Sequence, residues 1–213
     1  MGGGIVHDLR DGSARKLVSN PGKIQIDPES WPVQDRIAIS GWNDGVAVFD
    51  TESPADRLWA PAGEGRANRI RRFAGLSADG ELIAYASNEG VGQFQIRIEE
   101  IDGSSRVQIP AESGTEPVWC RECDDLFFRV GQRVFASRIT REPRLEAGPP
   151  REIFEASDFV DTRGISIRVS SDGRRLYYVR RSRPPRETES TSSTTGSTNS
   201  KLPCRPADLI YCR

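Results

Sequence analysis

Residues 76–85 read Leu-Ser-Ala-Asp-Gly-Glu-Leu-Ile-Ala-Tyr, which is a polar turn followed by a short apolar strand. Residues 169–178 repeat the pattern as Val-Ser-Ser-Asp-Gly-Arg-Arg-Leu-Tyr-Tyr. Because glycine tolerates the positive φ angles of tight turns, each copy predicts a turn and the strand that leaves it. The motif residues at the two turns are Asp79, Gly80, Asp172 and Gly173.

Two weaker copies complete a regular spacing. Residues 119–128 begin with Trp119 and carry Glu-Cys where the motif has Asp-Gly, and residues 30–39 carry Val-Gln there. The first strand residues of the four copies are 46, 43 and 50 residues apart, at Ile37, Ile83, Leu126 and Leu176. A strand-type unit that repeats about every 40–50 residues predicts the blades of a β-propeller.

The stretches between these copies also have the composition of strands. Short polar turns precede the β-rich segments 46–50 and 133–136, and a further strand is predicted at 106–109 and at 151–154. Glycine and proline together make up 34 residues, which suits a fold with many tight turns. We therefore predict an all-β antiparallel fold of about four blades, each a four-stranded sheet.

The motif resembles the WD40-like (PD40) repeats of TolB-like six-bladed β-propellers. Residues 114–119, 126–128 and 146–155 are similar to the last blades of the propeller appended to many bacterial serine/threonine protein kinases. The resemblance covers about residues 4–181, whereas six blades of about 45 residues need about 270. It implies an arc that is incomplete at its N-terminal side, with residues 5–9 and 15–18 as the outer strands of a partial blade. A fragment, an arc completed by a partner and a closed four-blade ring are the alternatives.

The chain divides into two predicted regions. Residues 1–183 hold the propeller blades, and residues 184–213 form a Ser/Thr-rich tail, in which 10 of the 13 residues from 188 to 200 are Ser or Thr. Such a segment cannot bury enough apolar surface to offset the entropy of ordering, so the tail is predicted to be disordered.

Charge and hydropathy limit the classes of partner. The formal net charge is −1, which gives no global attraction to nucleic acid or to anionic membranes. The basic clusters Arg69, Arg71, Arg72 and Arg180, Arg181, Arg183 are predicted to be solvated strand ends. The sequence has no apolar run long enough for a membrane span and no signal peptide. As encoded it is predicted to be cytoplasmic, whereas the resembling family is often periplasmic or extracytoplasmic.

The sequence predicts no catalytic residues and no cofactor. His7 is the sole histidine and lies in a strand-like stretch without a Gly-x-Ser-x-Gly motif, so a Ser-His-Asp site is not predicted. The Gly-rich loop, His-Arg-Asp loop and Asp-Phe-Gly motif of kinases are absent from the sequence. We therefore predict that the chain is not an enzyme.

Cys120 and Cys123 form a Cys-x-x-Cys at the turn before a predicted strand. Residues i and i+3 of a β-turn lie within about 7 Å, which permits a disulfide or half of a zinc site. Two unpaired turn cysteines are the third alternative. Zinc requires four ligands, and the other two cysteines, Cys204 and Cys212, lie in the tail, so no metal site is predicted.

The aromatic residues suggest both the core and a binding surface. We expect the recurring aromatics to pack between adjacent blades, namely Tyr85, Trp119, Phe127, Phe128, Tyr177 and Tyr178. One of Trp31, Trp42 and Trp59 is expected to line a binding face, since tryptophan is favoured in interaction hot spots.

We predict a non-catalytic module that binds a protein or a small ligand and acts as a sensor, with self-association through open blade edges as a further prediction. The alternative is an accessory propeller fragment of a larger kinase or hydrolase.

Overall fold

The computed structural model describes residues 2–20, 26–33, 35–41, 45–52, 57–59, 70–89, 92–160, 162 and 164–181. The predicted tail at 184–213, with Cys204 and Cys212, lies outside these residues, as do Trp42, Arg69 and Arg183. Trp59 lies in a described strand, but its side chain is outside the description. Within the described residues, no helix is long and apolar enough to span a membrane.

The described chain consists of β-strands and the turns that join them. In chain order the strands are β1 Gly2–His7, β2 Ala14–Asn20, β3 Ile26–Val33, β4 Arg36–Gly41, β5 Gly45–Asp50, β6 Arg57–Trp59, β7 Arg71–Leu76, β8 Leu82–Ser87, β9 Gln95–Glu100, β10 Arg106–Gln108, β11 Thr115–Trp119, β12 Asp125–Val130, β13 Arg133–Thr140, β14 Glu146–Ala147, β15 Arg151–Glu155, β16 Ile167–Val169 and β17 Leu176–Tyr178.

These strands form three sheets between two hairpins. Strands β1 and β2 pair as the N-terminal hairpin, and β16 and β17 pair as the C-terminal hairpin. The first sheet has the order β3-β4-β5-β6 and the second the order β7-β8-β9-β10. The third sheet runs β11-β12-β13, with β14 and β15 both paired to β13. Every pairing is antiparallel, which confirms the predicted all-β antiparallel class.

The strand that follows the motif turn is the second strand of each unit. The sequence alone indicated that it is the first. Strands β3, β7, β11 and β16 precede the motif strands and pair with them. Register shifts hide three of these first strands from a pattern search, namely β3, β7 and β11. The pairing register of β7 shifts between Arg72 and Gly75, and Phe73 has a φ of 59°. In β11 the register shifts between Thr115 and Val118, and Glu116 has a φ of 54°. A bulge breaks the period-2 alternation by which strands are recognised.

Strand β8 shows how the sheets pack. Its alternate side chains point to opposite faces. Leu82, Ala84 and Ala86 join the core cluster with the third sheet, whereas Ile83 and Tyr85 join the cluster with the first sheet. All six residues of β8 are buried, because a neighbouring sheet covers each face. Strand β12 repeats this arrangement, with Leu126 and Phe128 against the second sheet and Phe127 against the C-terminal hairpin.

The two hairpins expose one face each. Val6 of the N-terminal hairpin packs against the first sheet, whereas Ile5 is 63% exposed. Leu176 and Tyr178 of the C-terminal hairpin pack against the third sheet, whereas Tyr177 is 58% exposed. The expectation that Tyr177 packs between blades is wrong, because alternation turns it to the face that no described sheet covers.

Arg71 also departs from the prediction of a solvated strand end. Its side chain is buried, and its Nη2 lies 3.4 Å from Glu89 Oε2. Arg97 approaches the same carboxylate at 4.0 Å. The charge of Arg71 is therefore balanced inside the second sheet.

Candidate binding face

The Ser-x-Asp-Gly turn between β7 and β8 is held by its own side chains. The Ser77 N–H donates to the Leu82 carbonyl at 2.9 Å, and the Leu82 N–H donates to Ser77 Oγ at 2.9 Å. The Ser77 hydroxyl donates to Asp79 Oδ1 at 2.5 Å. Asp79 Oδ1 also accepts the Glu81 N–H at 3.0 Å. These bonds fix the turn locally, which explains why a short motif could identify it.

The turn between β16 and β17 repeats the same contacts. Ser170 N–H donates to the Arg175 carbonyl at 2.9 Å, and the Ser170 hydroxyl donates to Asp172 Oδ1 at 2.5 Å. Asp172 Oδ1 accepts the Arg174 N–H at 3.0 Å. The two predicted motif pairs, Asp79–Gly80 and Asp172–Gly173, therefore occupy equivalent positions in two turns of one geometry.

Both motif aspartates have a lowered pKa. For Asp79, partial burial opposes ionisation, but the hydrogen bonds from Ser77 and Glu81 and the nearby Arg141 guanidinium outweigh it and lower the pKa. For Asp172, the Ser170 hydroxyl and then the Arg174 N–H lower the pKa. Hydrogen bonds to a carboxylate favour its charged form.

Each motif glycine lies against the turn of the preceding unit. Gly80 has a φ of +74°, and a Cβ there would lie 2.8 Å from Val33 Cγ2. Gly173 has a φ of +69°, and a Cβ there would lie 3.0 Å from Cys123 Sγ and 3.1 Å from Cys120 Sγ. Glycine is therefore favoured at both positions for two reasons: it adopts the positive φ, and it leaves space for the turn of the preceding unit.

Cys120 and Cys123 occupy the equivalent turn of the third sheet and are joined by a disulfide. The Cys120 N–H donates to the Asp125 carbonyl at 3.0 Å, as Ser77 donates to Leu82. The cysteines thus take the first and fourth positions of the turn, where the other two turns have serine and glycine.

Trp119 comes directly before this disulfide turn and contacts the second sheet. Its indole N–H donates to the Gly75 carbonyl at 2.9 Å. A Cβ at Gly75 would lie 3.3 Å from the Pro117 carbonyl oxygen and 3.5 Å from Trp119 Cδ1, so Gly75 packs closely against β11.

These turns, together with the ends of the strands that enter them, form one surface, which we call the turn face. Arg36 of the first sheet donates to the Gly80 carbonyl at 2.9 Å and pairs with Glu81 at 2.8 Å. Arg141, which follows β13 of the third sheet, pairs with Asp79 at 2.6 Å. Ion pairs and hydrogen bonds therefore link the turn face of the second sheet to both neighbouring sheets.

Arg121 makes a longer connection across the turn face. Its Nη2 donates to the Pro32 carbonyl at 3.3 Å, so a side chain of the third sheet reaches the first sheet. Trp31, the residue before Pro32, is 50% exposed. The exposed Arg121 thus contacts the backbone of the residue that follows the half-exposed Trp31.

Trp31 is one of the three tryptophans of which one is expected to line a binding face, whereas Arg121 was not predicted. The contact between Arg121 and Pro32 spans 89 positions in sequence, and no local pattern encodes it. His7 ends β1, where it pairs with Ala14 and is exposed. Among the described residues, no three His, Cys, Asp or Glu side chains are grouped so that they could hold a metal ion.

A buried ionic cluster was also missed by the sequence analysis. Glu116, in the bulge of β11, accepts from the Ser166 N–H and from its hydroxyl, both at 2.6 Å. Arg129 Nε lies 3.3 Å from Glu116 Oε1, and its guanidinium lies 5.1 Å from the centre of the Phe159 ring. This cluster joins the third sheet to the segment that leads into β16.

Neither a protein-family model nor a curated protein matches the chain. Among solved structures, it is similar to "putative TolB from Agrobacterium tumefaciens", with a TM-score of 0.50 and 20% sequence identity over 79% of this chain and 62% of that one. It is also similar to the complex of KlAtg21 with the coiled-coil of AgAtg16, with a TM-score of 0.53 and 14% identity over 82% of this chain and 54% of that one. The chain therefore spans less than two thirds of either structure. With its repeated antiparallel sheets, the chain has a β-propeller fold.

Proposed function

We propose that the chain is a non-catalytic module that binds a protein through its turn face. The observations that carry the proposal are the half-exposed Trp31 and the exposed Arg121, whose guanidinium donates to the carbonyl of Pro32, the residue after Trp31. Tryptophan and arginine are the residues most enriched in the energetic centres of protein interfaces.

The chemistry of this patch fits a protein more closely than a nucleic acid. A guanidinium has five N–H donors, so the bond from Arg121 to Pro32 leaves donors for a partner's carboxylate or carbonyl groups. The indole of Trp31 supplies a large apolar contact. A chain with a net charge of −1 has no excess of cations for a phosphate backbone.

The structural neighbours support the proposal at the level of fold. The similar structure of KlAtg21 is a complex with a coiled-coil, so that protein binds a protein partner. One fold hosts many functions, and the assignment to this chain therefore depends on the Trp31 patch.

A photo-cross-linking residue placed at position 31 tests the proposal directly. We expect adducts with a protein in cell extract at this position and none at position 153, where Ile153 is 37% exposed on β15 of the third sheet. Arg121→Ala should reduce the yield of the adduct without lowering the melting temperature of the module. Equal adducts at positions 31 and 153, or none at either, would contradict the proposal.

A second candidate function is an accessory propeller of a larger kinase or hydrolase. It rests on the similarity of residues 146–155 to the last blades of the propeller appended to bacterial serine/threonine protein kinases. The chain also spans only 62% of the TolB structure. An upstream coding sequence in the same frame, with further sheets and a catalytic domain, would support this candidate. A transcript that starts at the codon for Met1 would argue against it.

Self-association is a separate proposal that rests on the exposed faces of the two hairpins. Ile5 and Tyr177 lie on these faces, 63% and 58% exposed. Light scattering should then show a concentration-dependent mass that Tyr177→Glu lowers. A constant monomer mass would rule it out.

A further inference from the structure

We propose that the Cys120–Cys123 disulfide is a redox-sensitive clamp, which holds the C-terminal hairpin against the third sheet and which a dithiol reductant opens. This inference concerns the control of the fold and is independent of the proposed binding function.

The disulfide replaces the hydrogen bonds that lock the two serine turns. In those turns a hydroxyl at the first position bonds the aspartate at the third, at 2.5 Å in both Ser77 and Ser170. The turn of the third sheet has Cys120 and Glu122 at these positions and keeps the same backbone bond, from Cys120 to Asp125. A covalent bond between its first and fourth residues therefore does what side-chain hydrogen bonds do elsewhere.

The disulfide turn is also a contact point for the C-terminal hairpin. The Ser171 carbonyl accepts the Glu122 N–H at 2.9 Å and lies 3.3 Å from Cys120 Sγ. Gly173 faces both sulfur atoms, and a Cβ at this position would lie 3.0 Å from Cys123 Sγ and 3.1 Å from Cys120 Sγ. Cys120 is only 4% exposed and belongs to the core cluster that contains Phe127 and Ile167.

Reduction would disturb this contact for a steric reason. Two sulfur atoms that are not bonded must separate to about 3.5–4.0 Å, the usual spacing of heavy atoms in contact. That movement takes place at the contact with the hairpin, where Ser171 and Gly173 lie beside the sulfur atoms. The reduced turn would also lack the hydroxyl that locks the other two turns, so only its backbone hydrogen bonds would hold its shape.

The turn is accessible to a dithiol reductant. Cys123 is partly exposed, and the residues between the cysteines, Arg121 and Glu122, are exposed. A thiolate of the reductant attacks Cys123 Sγ, and Cys120 leaves as a thiolate and takes up a proton. The second thiol then displaces Cys123, which is protonated in turn. The chain gains two electrons and two protons, and the reductant leaves as a cyclic disulfide.

Hydrogen exchange of the full chain, oxidised and reduced, tests the clamp. We expect exchange to rise by about tenfold or more on reduction in peptides covering 164–181, which hold the Ser170 and Val179 amides. Peptides covering 76–87 of the second sheet should exchange at the same rate in both states. Equal exchange of 164–181 in the two states, or a uniform rise throughout the chain, would overturn the proposal.

A matched variant separates the clamp from other effects of the reductant. Cys120→Ser, Glu122→Asp and Cys123→Gly together give the turn the Ser-x-Asp-Gly pattern, and the variant retains Cys204 and Cys212. We expect it to protect 164–181 as the oxidised protein does and to be unaffected by the dithiol. A variant that still responds to the reductant would place the effect elsewhere and overturn the proposal.

Discussion

Glu116 and Arg129 form an ion pair enclosed between the third sheet and the C-terminal hairpin, with Arg129 Nε 3.3 Å from Glu116 Oε1. The side chains are 2% and 6% exposed, so water does little to stabilise either charge. Ser166 adds two hydrogen bonds to the same carboxylate. Loss of either side chain would therefore remove a charge-charge contact from a buried site.

From this pair we expect Glu116→Ala to lower the free energy of unfolding by about 3–5 kcal/mol, because it removes the buried carboxylate that contacts Arg129 and accepts two hydrogen bonds from Ser166. The double variant with Arg129→Met should be less unstable than the sum of the two single changes. Urea denaturation measures both effects, and Glu112→Ala, at an exposed position, is the control. A Glu116 variant as stable as the control would contradict this assignment.

The two motif aspartates should make the protein sensitive to acid. Their pKa values are lowered in the folded chain, whereas an unfolded aspartate titrates near a pKa of about 3.9. The stability that they contribute is therefore complete above that value and is lost as the pH falls through the folded pKa. Asp79→Asn and Asp172→Asn should each reduce the loss of stability in this acid range.

Urea midpoints measured between pH 7 and pH 3 test this prediction, with the exposed Glu112→Gln as the control for the loss of a surface charge. If the aspartate variants lose as much stability in acid as the unsubstituted protein, the motif carboxylates are not responsible.

Glycine substitutions should distinguish backbone strain from close packing. Gly103 has a φ of +76° and no atom within 4 Å of a would-be Cβ, so Gly103→Ala should cost about 1–2 kcal/mol from strain alone. Gly80 has nearly the same φ, but its Cβ would lie 2.8 Å from Val33 Cγ2. We expect Gly80→Ala to cost about 1–3 kcal/mol more than the control, in the range of overpacked cores. Equal costs in chemical denaturation would show that the turns are less closely packed than the structure indicates.

Tyr85 should resist ionisation in the folded protein. It is 1% exposed, and its hydroxyl donates to Glu99 Oε1 at 2.6 Å. Burial, and then the hydrogen bond to Glu99, raise the pKa of Tyr85 far above its usual value near 10. The associated stability is complete below about pH 10 and is lost as the pH rises above it, because the unfolded phenol ionises first.

Absorbance at the tyrosinate band gives the measurement. At a pH above about 10 but below the alkaline unfolding transition, the folded protein should show one tyrosinate fewer than the denatured protein, because Tyr85 stays protonated. Tyr85→Phe should abolish that difference. If the variant and the unsubstituted protein show the same deficit, another residue accounts for it.

Local interactions explain what the sequence could predict. The Ser77–Asp79 turn and the alternation of Leu82, Ile83 and Ala84 involve residues that are close in sequence, so a short motif identifies both. The first strand of each unit was missed, since residues such as Phe73 adopt a positive φ that interrupts the pattern. Sequence placed Cys120 and Cys123 at a turn, but left open whether they were joined.

The candidate site depended on contacts that sequence alone could not predict. Arg121 meets Pro32 across 89 positions, and Glu116 meets Ser166 across 50. These pairs are brought together by the stacking of successive sheets, a relation between repeats that lies outside any single repeat. The sequence indicated that one of Trp31, Trp42 and Trp59 lines a binding face, but it did not indicate Arg121.

The burial of β8 on both faces has a consequence for how such a chain can change in length. A sheet of this kind supplies one row of side chains to each of its two neighbours. The free energy of unfolding is then close to the sum of the contributions of the single sheets and of the interfaces between them. Here a junction is the packed interface between two successive sheets. Removal of a single strand would leave gaps in the junctions on both sides of its sheet. Removal or duplication of a whole sheet would instead leave every remaining sheet packed against a complete neighbour. We therefore expect insertions and deletions to be tolerated in steps of an entire repeat, and a lesion in one sheet to weaken its immediate neighbours before it affects the rest.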